Sequence, residues 1–250
     1  MCKFFSFVVV RGSEQQPEQY LWRWWTDSHS EILTCCNLDD SKLDRMDKAK
    51  CEFSPPHPDD ILHPEKWTFH VDEDVRPKWF DADAESRARK WAEGVVKSRT
   101  ITTGKRRGIY EGWWIVAGDA VVTLLGGGAR IIQVRGSAQI TDVRDSAQIT
   151  GVGDSAQITG VGDSARITGV RGSAQITNVG GSAQITNVGG SARITDVGDS
   201  ARITGVGDSA QITNVRDSAR ITNVWDSAKL DNSAKKAAAR TVAAGKEMGK

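Results

Sequence analysis

The stretch SAQITNVGG, residues 173–181, decides the fold, because it recurs with small changes every nine residues. Ten near-identical units run from Ser137 to Asp226, and more degenerate units precede them from Asp119 onward. A short fixed period is typical of a solenoid, in which each unit stacks on the next. The repeat therefore predicts a β-solenoid rather than a globular domain.

Within each unit the residues alternate between apolar and polar, which indicates a strand with one buried face. We expect Ala, Ile and Val, at the second, fourth and seventh positions, to point inward, and Gln or Arg and Thr, at the third and fifth, to point outward. The sixth position holds Asp, Gly or Asn and predicts a bend. The Gly or Asp at the ninth position and the following Ser predict a second bend. Two units facing each other then close a coil of 18 residues.

The remaining chain predicts three further segments around the array. Alternating and aromatic stretches before it indicate four strands, and Ala84, Ala88, Trp91 and Val96 share one face of a helix over 83–98. The Ala-rich C-terminus predicts a capping helix, with Asn232 or Ser233 able to cap its start. The predicted fold is mainly β, with an α+β head domain (1–100), a basic linker and N-terminal solenoid cap (101–118), the β-solenoid (119–231) and the capping helix (232–250).

Charge is distributed unevenly, although the net charge is only +1. Residues 1–86 carry 10 basic and 18 acidic residues, whereas 87–107 carry eight basic residues and one acidic residue. The ten units together contain seven Arg and nine Asp, so we do not expect the repeats to bind nucleic acid by charge. The basic cluster Lys105, Arg106 and Arg107 is a candidate anion contact, with a solvated linker as the alternative.

The apolar run at 4–10 is too short to span a bilayer, and Arg11 interrupts it. We interpret it as a strand of a cytoplasmic protein with reduced cysteines, and we expect no membrane partner. The stretches MCKFFSF, DSHSEI and HVDED resemble an N-terminal module of uncharacterised phage and bacterial proteins, and the array resembles the nonapeptide solenoids appended to such proteins. The resemblance implies a phage or mobile-element origin, with the host cytoplasm as location, and brings no known activity.

The N-terminal segment contains every cysteine and histidine of the chain. Removal of Met1 would expose Cys2 as an N-terminal nucleophile with its own amine as base, and Asp27 and His29 could orient such a site. The bulky residues after Cys2 differ from the small ones usual in amidotransferases of this kind. A buried strand cysteine is the alternative.

Two further groups of residues are candidates for binding. Cys51, His57, His63 and His70 could surround zinc, but their spacing matches no common zinc motif, and we predict no metal or cofactor. Tryptophans are dense in the head, where they serve as core or as interface; the candidates are Trp22, Trp24 and Trp25.

Three functions remain open at this point. The first is a non-catalytic binding or scaffold protein, in which the head recognises another protein and the solenoid is a rigid spacer or a stalk for homo-oligomers. The second is a hydrolase or amidotransferase-like enzyme that uses Cys2. The third is binding of an ordered surface, such as ice or a polysaccharide, by the column of Thr residues.

Overall fold

A computed structural model describes residues 5–13, 17–23, 25–40, 47–72, 76–225 and 227–247, without the side chains of residues 58, 59 and 240–247. The chain divides into two compact units. The first, residues 1–99, is called the head below. The second, residues 100–250, contains the repeats.

The head contains a four-stranded antiparallel sheet with the strand order β2-β1-β3-β4. Its strands are β1 (Phe5–Val10), β2 (Gln19–Leu21), β3 (Lys48–Ser54) and β4 (Thr68–Val71). The predicted pairing of the first two strands is confirmed, with Val9 opposite Tyr20. The apolar run that begins the chain is a buried strand, and both β1 and β3 lie within the sheet.

The described residues of the head also form helices. They are α1 (His29–Cys35), α2 (Ala82–Ser98) and two 3-10 helices, Pro58–Leu62 and Pro64–Lys66. The predicted apolar face of α2 is confirmed: Ala84, Ala88, Ala92 and Val96 are buried, and Trp91 stacks on Tyr20 at 5.0 Å between ring centroids. Helix α1 was not predicted, although Ser28 caps it and Glu31 completes the Ser-x-x-Glu capping pattern.

The repeats form a β-solenoid of about seven coils, in which strands pair in parallel with partners 18 residues away. From β5 onward, the odd-numbered strands form one eight-stranded sheet and the even-numbered strands form the other. The odd-numbered strands are β5 (Thr100–Ile101), β7 (Trp113–Val116), β9 (Arg130–Val134), β11 (Gln148–Val152), β13 (Arg166–Val170), β15 (Gln184–Val188), β17 (Arg202–Val206) and β19 (Arg220–Val224). The even-numbered strands are β6 (Lys105–Arg106), β8 (Val121–Leu125), β10 (Gln139–Val143), β12 (Gln157–Val161), β14 (Gln175–Val179), β16 (Arg193–Val197), β18 (Gln211–Val215) and β20 (Lys229–Leu230). The predicted coil of 18 residues is therefore confirmed.

The interior of the solenoid is a continuous stack of Ala, Ile and Val. In the unit at 173–181, Ala174, Ile176 and Val179 are 0–2% exposed, whereas Gln175 and Thr177 are exposed. The inward and outward assignment made from the sequence is confirmed. Each coil adds the same small set of apolar side chains to one core, and burial of this apolar area is what stabilises the stack.

The turn at the ninth position is held by aspartates. The ninth residue has positive φ, for example Asp145 at 56° and Gly181 at 60°, the left-handed region that Gly, Asn and Asp tolerate best. An aspartate there accepts a hydrogen bond from the backbone N–H of the ninth residue one coil earlier. Gly181 N donates to Asp199 Oδ2 at 2.7 Å, and Gly190 N donates to Asp208 Oδ2 at 2.8 Å. These carboxylates therefore satisfy backbone donors that the turn leaves unpaired.

The bend predicted at the sixth position is wrong for the first half of the array. The sixth residue lies inside the strands, and its φ is positive only from Asn187 onward, at Asn187, Asp196, Gly205, Asn214 and Asn223. Because the period of nine is odd, strict alternation would turn the next unit's Ile outward. The fifth and sixth residues instead both lie outside the core, so Val at the seventh position points inward again. The identical units 173–181 and 182–190 adopt the two different backbones.

Threonine hydroxyls bridge the two steps where these backbones meet. At both steps the parallel register omits the fifth and sixth positions. There Thr186 Oγ1 donates to the carbonyl oxygen of Thr168 at 2.9 Å, and Thr195 Oγ1 donates to that of Thr177 at 3.3 Å. Hydrogen bonds from threonine side chains thus join neighbouring strands at the two steps where the backbone pairing is interrupted.

Both ends of the solenoid differ in detail from the prediction. Segment 101–118, expected to be a linker and cap, contributes strands β5, β6 and β7 to the sheets. At the other end, α3 (Asn232–Glu247) packs Ala234 and Ala237 against the core. Asp231, not Asn232 or Ser233, accepts the hydrogen bond from Ala234 N at 2.8 Å, and it also accepts one from Asn214 N at 2.9 Å. Hydrogen bonds from Asn214, Ser233 and Ala234 lower the pKa of Asp231.

Among the described residues, none of the helices combines the length and the apolar character that crossing a bilayer would require.

We predict that the two hydroxyls at the junction stabilise the solenoid. The double variant Thr186→Val and Thr195→Val should lower the free energy of unfolding by about 1–3 kcal/mol, because each lost hydrogen bond costs about 0.5–1.5 kcal/mol. The matched control is Thr150→Val with Thr159→Val, at the same position of other units. Denaturant unfolding followed by circular dichroism measures both, and equal losses would contradict the role given to the junction.

Candidate functional site

The residues proposed for catalysis are only partly described. Cys2 lies outside the described residues. His29 is buried, with Nε2 3.1 Å from the carbonyl oxygen of Cys51 and Nδ1 3.6 Å from Asp72 Oδ2. Asp27 is exposed, and among the described residues the carboxylate within 4.0 Å of His29 is that of Asp72. His29 therefore joins α1 to β3 and to the end of β4. The suggestion that Asp27 and His29 orient Cys2 stays a prediction, because Cys2 lies outside the described residues.

The four candidate zinc ligands are not brought together. Cys51 is buried and its thiol lies 3.6 Å from the carbonyl oxygen of Ala49, whereas His57, His63 and His70 are exposed. His63 Nδ1 lies 3.0 Å from Glu65. Within the described parts of the chain, no group of three or more His, Cys, Asp or Glu side chains is arranged to hold a metal ion.

The candidate binding tryptophans have different environments. Trp22 is half-buried and meets Phe5 edge-on at 5.6 Å, so it belongs to the aromatic core of the head. Trp25 is 44% exposed, and the guanidinium of Arg23 lies 5.9 Å from its ring centroid. Trp24 lies outside the described residues. Of the described pair, Trp25 is the one that presents aromatic surface to solvent.

The basic cluster at 105–107 lies on the solenoid. Lys105 and Arg106 form β6, which pairs with β8, and all three residues of the cluster are exposed. The guanidinium of Arg106 lies 4.2 Å from the ring centroid of Trp114, close enough for a cation–π contact. Arg106 therefore has a structural contact, while Lys105 and Arg107 carry exposed charges.

An open cleft of about 510 Å³ in the head is the concave site that sequence analysis missed. Its lining residues are Arg11, Gly12, Ser13, Pro17, Glu18, Tyr20, Trp79 and Arg87. Most of them come from the segment RGSEQQPEQY, which the sequence indicates only as a polar connection between strands. Trp79 and Arg87 lie far from this segment in the sequence, and no local motif predicts that they line the cleft.

Glu18 organises the polar wall of the cleft. Arg87 donates to both of its carboxylate oxygens, at 2.5 and 3.2 Å, and the Tyr20 hydroxyl donates to Oε2 at 2.9 Å. The hydrogen bond from Arg87 lowers the pKa of Glu18, although burial opposes that shift. Burial, aided by Glu18, raises the pKa of Tyr20 to about 12. Glu18 thus stays ionised and Tyr20 protonated near neutral pH.

These ionisation states favour binding over acid–base chemistry in the cleft. A general acid or base works best when its pKa lies near the operating pH, and the shifts of Glu18 and Tyr20 move both groups away from it. What the cleft offers instead is fixed recognition chemistry: two guanidinium groups, a phenol and the ring of Trp79. Within the described parts of the chain, the Arg11 guanidinium lies 4.0 Å from Asp47, and both side chains are more than half exposed.

A second charged cluster, around Lys48, is structural. The Lys48 side chain is 3% exposed, and its ammonium donates to the Asp40 carboxylate and, at 2.7 Å, to the Asp40 carbonyl oxygen. Burial would raise the pKa of Asp40, but hydrogen bonds from Lys48, Ser30 and Lys50 hold it well below its usual range. The pair fastens the segment after α1 to strand β3.

Comparisons with models of protein families, with curated proteins and with solved structures find no match for this chain.

We predict that Asp40→Asn destabilises the head by about 3 kcal/mol, because it removes the carboxylate that pairs with the buried Lys48 ammonium. Since the folded-state pKa of Asp40 is lowered, its contribution is complete above the unfolded-state value near 4 and is lost as the pH falls below it. Calorimetric unfolding between about pH 6 and pH 2 should therefore show a flatter pH dependence for the variant. Asp27→Asn, at an exposed carboxylate, is the control, and an equal effect of the two substitutions would contradict the assignment.

Proposed function

We propose that this chain is a non-catalytic binding protein, in which the head recognises a partner protein and the solenoid serves as a rigid support. The observation that carries the proposal is the head cleft, whose wall is built from an ionised Glu18–Arg87 pair and a protonated Tyr20. Its exposed guanidinium groups and the indole of Trp79 suit a segment that presents an acidic side chain beside an apolar one. Aromatic and arginine side chains are the residues that most often dominate binding energy at protein interfaces.

The solenoid suits the role of support. Its core of stacked Ala, Ile and Val is continuous from coil to coil, and its aspartates are engaged with backbone N–H groups at the turns. About seven coils at about 4.8 Å each give a spacer of roughly 34 Å. A use as a stalk for homo-oligomers belongs to the same proposal, as do a cytoplasmic location and a phage or mobile-element origin.

The described residues give less support to catalysis by Cys2. His29 is buried against the carbonyl oxygen of Cys51 and near Asp72, and Asp27 is exposed. Surface binding by the Thr column gains most support on the face of β9 to β19, where the fifth-position Thr residues stand beside four arginines and the strands contain no acidic residue.

Site-specific photocrosslinking in the full-length chain tests the proposed role of the cleft. A photoreactive residue at Ser13, on the cleft rim, should capture a discrete partner from extracts of the source cells, whereas one at Ser173, an exposed solenoid turn, should not capture it. Arg11→Glu should reduce capture at Ser13 at least about fivefold, because it reverses a charge that the partner would meet. Arg171→Glu, an exposed solenoid arginine, is the matched control and should leave capture unchanged.

Two results would contradict this proposal. One is capture of the same species at Ser13 and Ser173 in equal yield. The other is capture at Ser13 that Arg11→Glu leaves unchanged.

A further inference from the structure

The two sheets of the solenoid differ in the charge of their outer faces. The face formed by β9, β11, β13, β15, β17 and β19 is called the arginine face below. Its strands contain no acidic residue, and four arginines stand at their third positions: Arg130, Arg166, Arg202 and Arg220. The opposite sheet carries Asp142 and Asp196 within its strands, its third positions from β10 to β20 hold four glutamines, Arg193 and Lys229, and its first strand is Lys105–Arg106. The arginine face is thus purely basic, whereas acidic and basic residues are mixed on the opposite face.

The arginines of this face are exposed and unpaired. Among the described residues, no carboxylate lies within 4.0 Å of any of the four guanidinium groups, and their side chains make no hydrogen bonds. The ion pairs of the repeats lie elsewhere, between Arg144 and Asp142 and between Arg216 and Asp196. The aspartates at the turns are engaged differently, because their carboxylates accept backbone N–H groups one coil away. The arginine column therefore has unused donors directed away from the core.

Charged and neutral side chains alternate along the column of third-position residues from Arg130 to Arg202. Along the sheet, Arg130, Gln148, Arg166, Gln184 and Arg202 occupy equivalent positions one coil apart. At about 4.8 Å per coil, successive arginines of this series are about 10 Å apart, with a glutamine between them. Arg220 extends the column by one further coil. This spacing is close to the length of a disaccharide in an extended polysaccharide chain.

A second column of hydroxyl groups runs beside the arginines. It consists of the fifth-position residues Thr150, Thr168, Thr186, Thr204 and Thr222. Threonine hydroxyls and glutamine amides both donate and accept hydrogen bonds, which suits sugar hydroxyls. Together, the two columns present a strip in which guanidinium groups lie among neutral hydrogen-bonding groups.

We propose that the arginine face binds a linear acidic polysaccharide in which every second sugar carries a carboxylate or a sulfate. The polymer would lie along the solenoid axis, with its anionic groups on Arg130, Arg166 and Arg202 and its neutral sugars over Gln148 and Gln184. Guanidinium groups match the planar geometry of carboxylates and form charge-assisted hydrogen bonds with them. This ligand is additional to the protein partner proposed for the head and does not depend on it.

The charge density of the face favours such a polymer over nucleic acid. Double-stranded DNA carries one charge per about 1.7 Å of its axis, whereas the column offers four arginines over about five coils, or roughly 24 Å. A flat sheet face also provides no element that enters a groove, which is how base edges are read. A duplex would therefore leave most of its phosphates unpaired on this face.

Binding of hyaluronan to the full-length chain tests the proposal, because this polymer carries a carboxylate on every second sugar. Isothermal titration calorimetry at low ionic strength, where surface charges are screened least, compares the wild type with a variant carrying Arg→Gln at 130, 166, 202 and 220. Glutamine occupies the same position in neighbouring coils, so the variant should keep the fold, as circular dichroism will check. We expect hyaluronan binding to weaken at least about tenfold, since each exposed ion pair contributes modestly but four are lost together.

The matched control removes four positive charges elsewhere on the solenoid. It combines Arg193→Gln and Lys229→Gln with Arg144→Gly and Arg216→Gly, residues that occur at those positions of other units. The control should weaken hyaluronan binding less than about twofold, because its net charge equals that of the test variant while the arginine face stays intact.

Several results would overturn the proposal. Equal loss in the test and control variants would show that net charge alone attracts the polymer. Tighter binding of a DNA duplex than of hyaluronan, with the same dependence on the four arginines, would assign the face to nucleic acid. Equal binding of neutral dextran would remove the role of charge, and an absence of hyaluronan binding by the wild type would refute the proposal directly.

Discussion

Parallel pairing between residues 18 positions apart is the constraint on which the solenoid depends. It places Ile on Ile and Val on Val through the whole array, so a core only a few side chains wide becomes continuous. The same register lets an aspartate at one turn accept the N–H of the turn below. Successive units along the chain lie on opposite faces, so residues that differ between units are aligned in columns, one column on each face. The unpaired arginines of one face are a consequence of that register.

Much of the solenoid could be predicted from the repeat alone. Alternation within SAQIT identifies the buried Ala and Ile, and two units facing each other across the core make the simplest closed coil. The backbone at the sixth position could not be predicted, because two identical units, 173–181 and 182–190, adopt different conformations. There the conformation depends on the neighbouring coils, which change between the two units, and the hydroxyls of Thr186 and Thr195 bridge the change. Local sequence cannot encode a difference between identical stretches.

In the head, the sequence predicts most of the secondary structure but not the cleft. Its strands and α2 follow from local patterns, but its cleft brings Trp79 and Arg87 to residues about seventy positions earlier. Such contacts depend on tertiary packing, which neither spacing nor composition reveals. Charged residues were equally hard to assign: Lys48 is an inconspicuous lysine in the sequence, yet it is buried against Asp40. Within the described chain, the residues singled out for zinc and for catalysis were chosen by type, and the fold separates most of them.

Distances between spin labels along one face test the register most directly. Cysteine-attached labels on residue 139, paired with labels on 193, 211 or 229 in a chain without its native cysteines, span three, four and five coils. Pulsed electron–electron double resonance should give distances that grow by about 4.8 Å for each 18 residues. Between the backbone positions these distances are near about 14, 19 and 24 Å, to which the length of the label side chains is added. Distances that fail to rise by this constant increment would contradict the 18-residue coil and, with it, the sorting of the arginines onto one face.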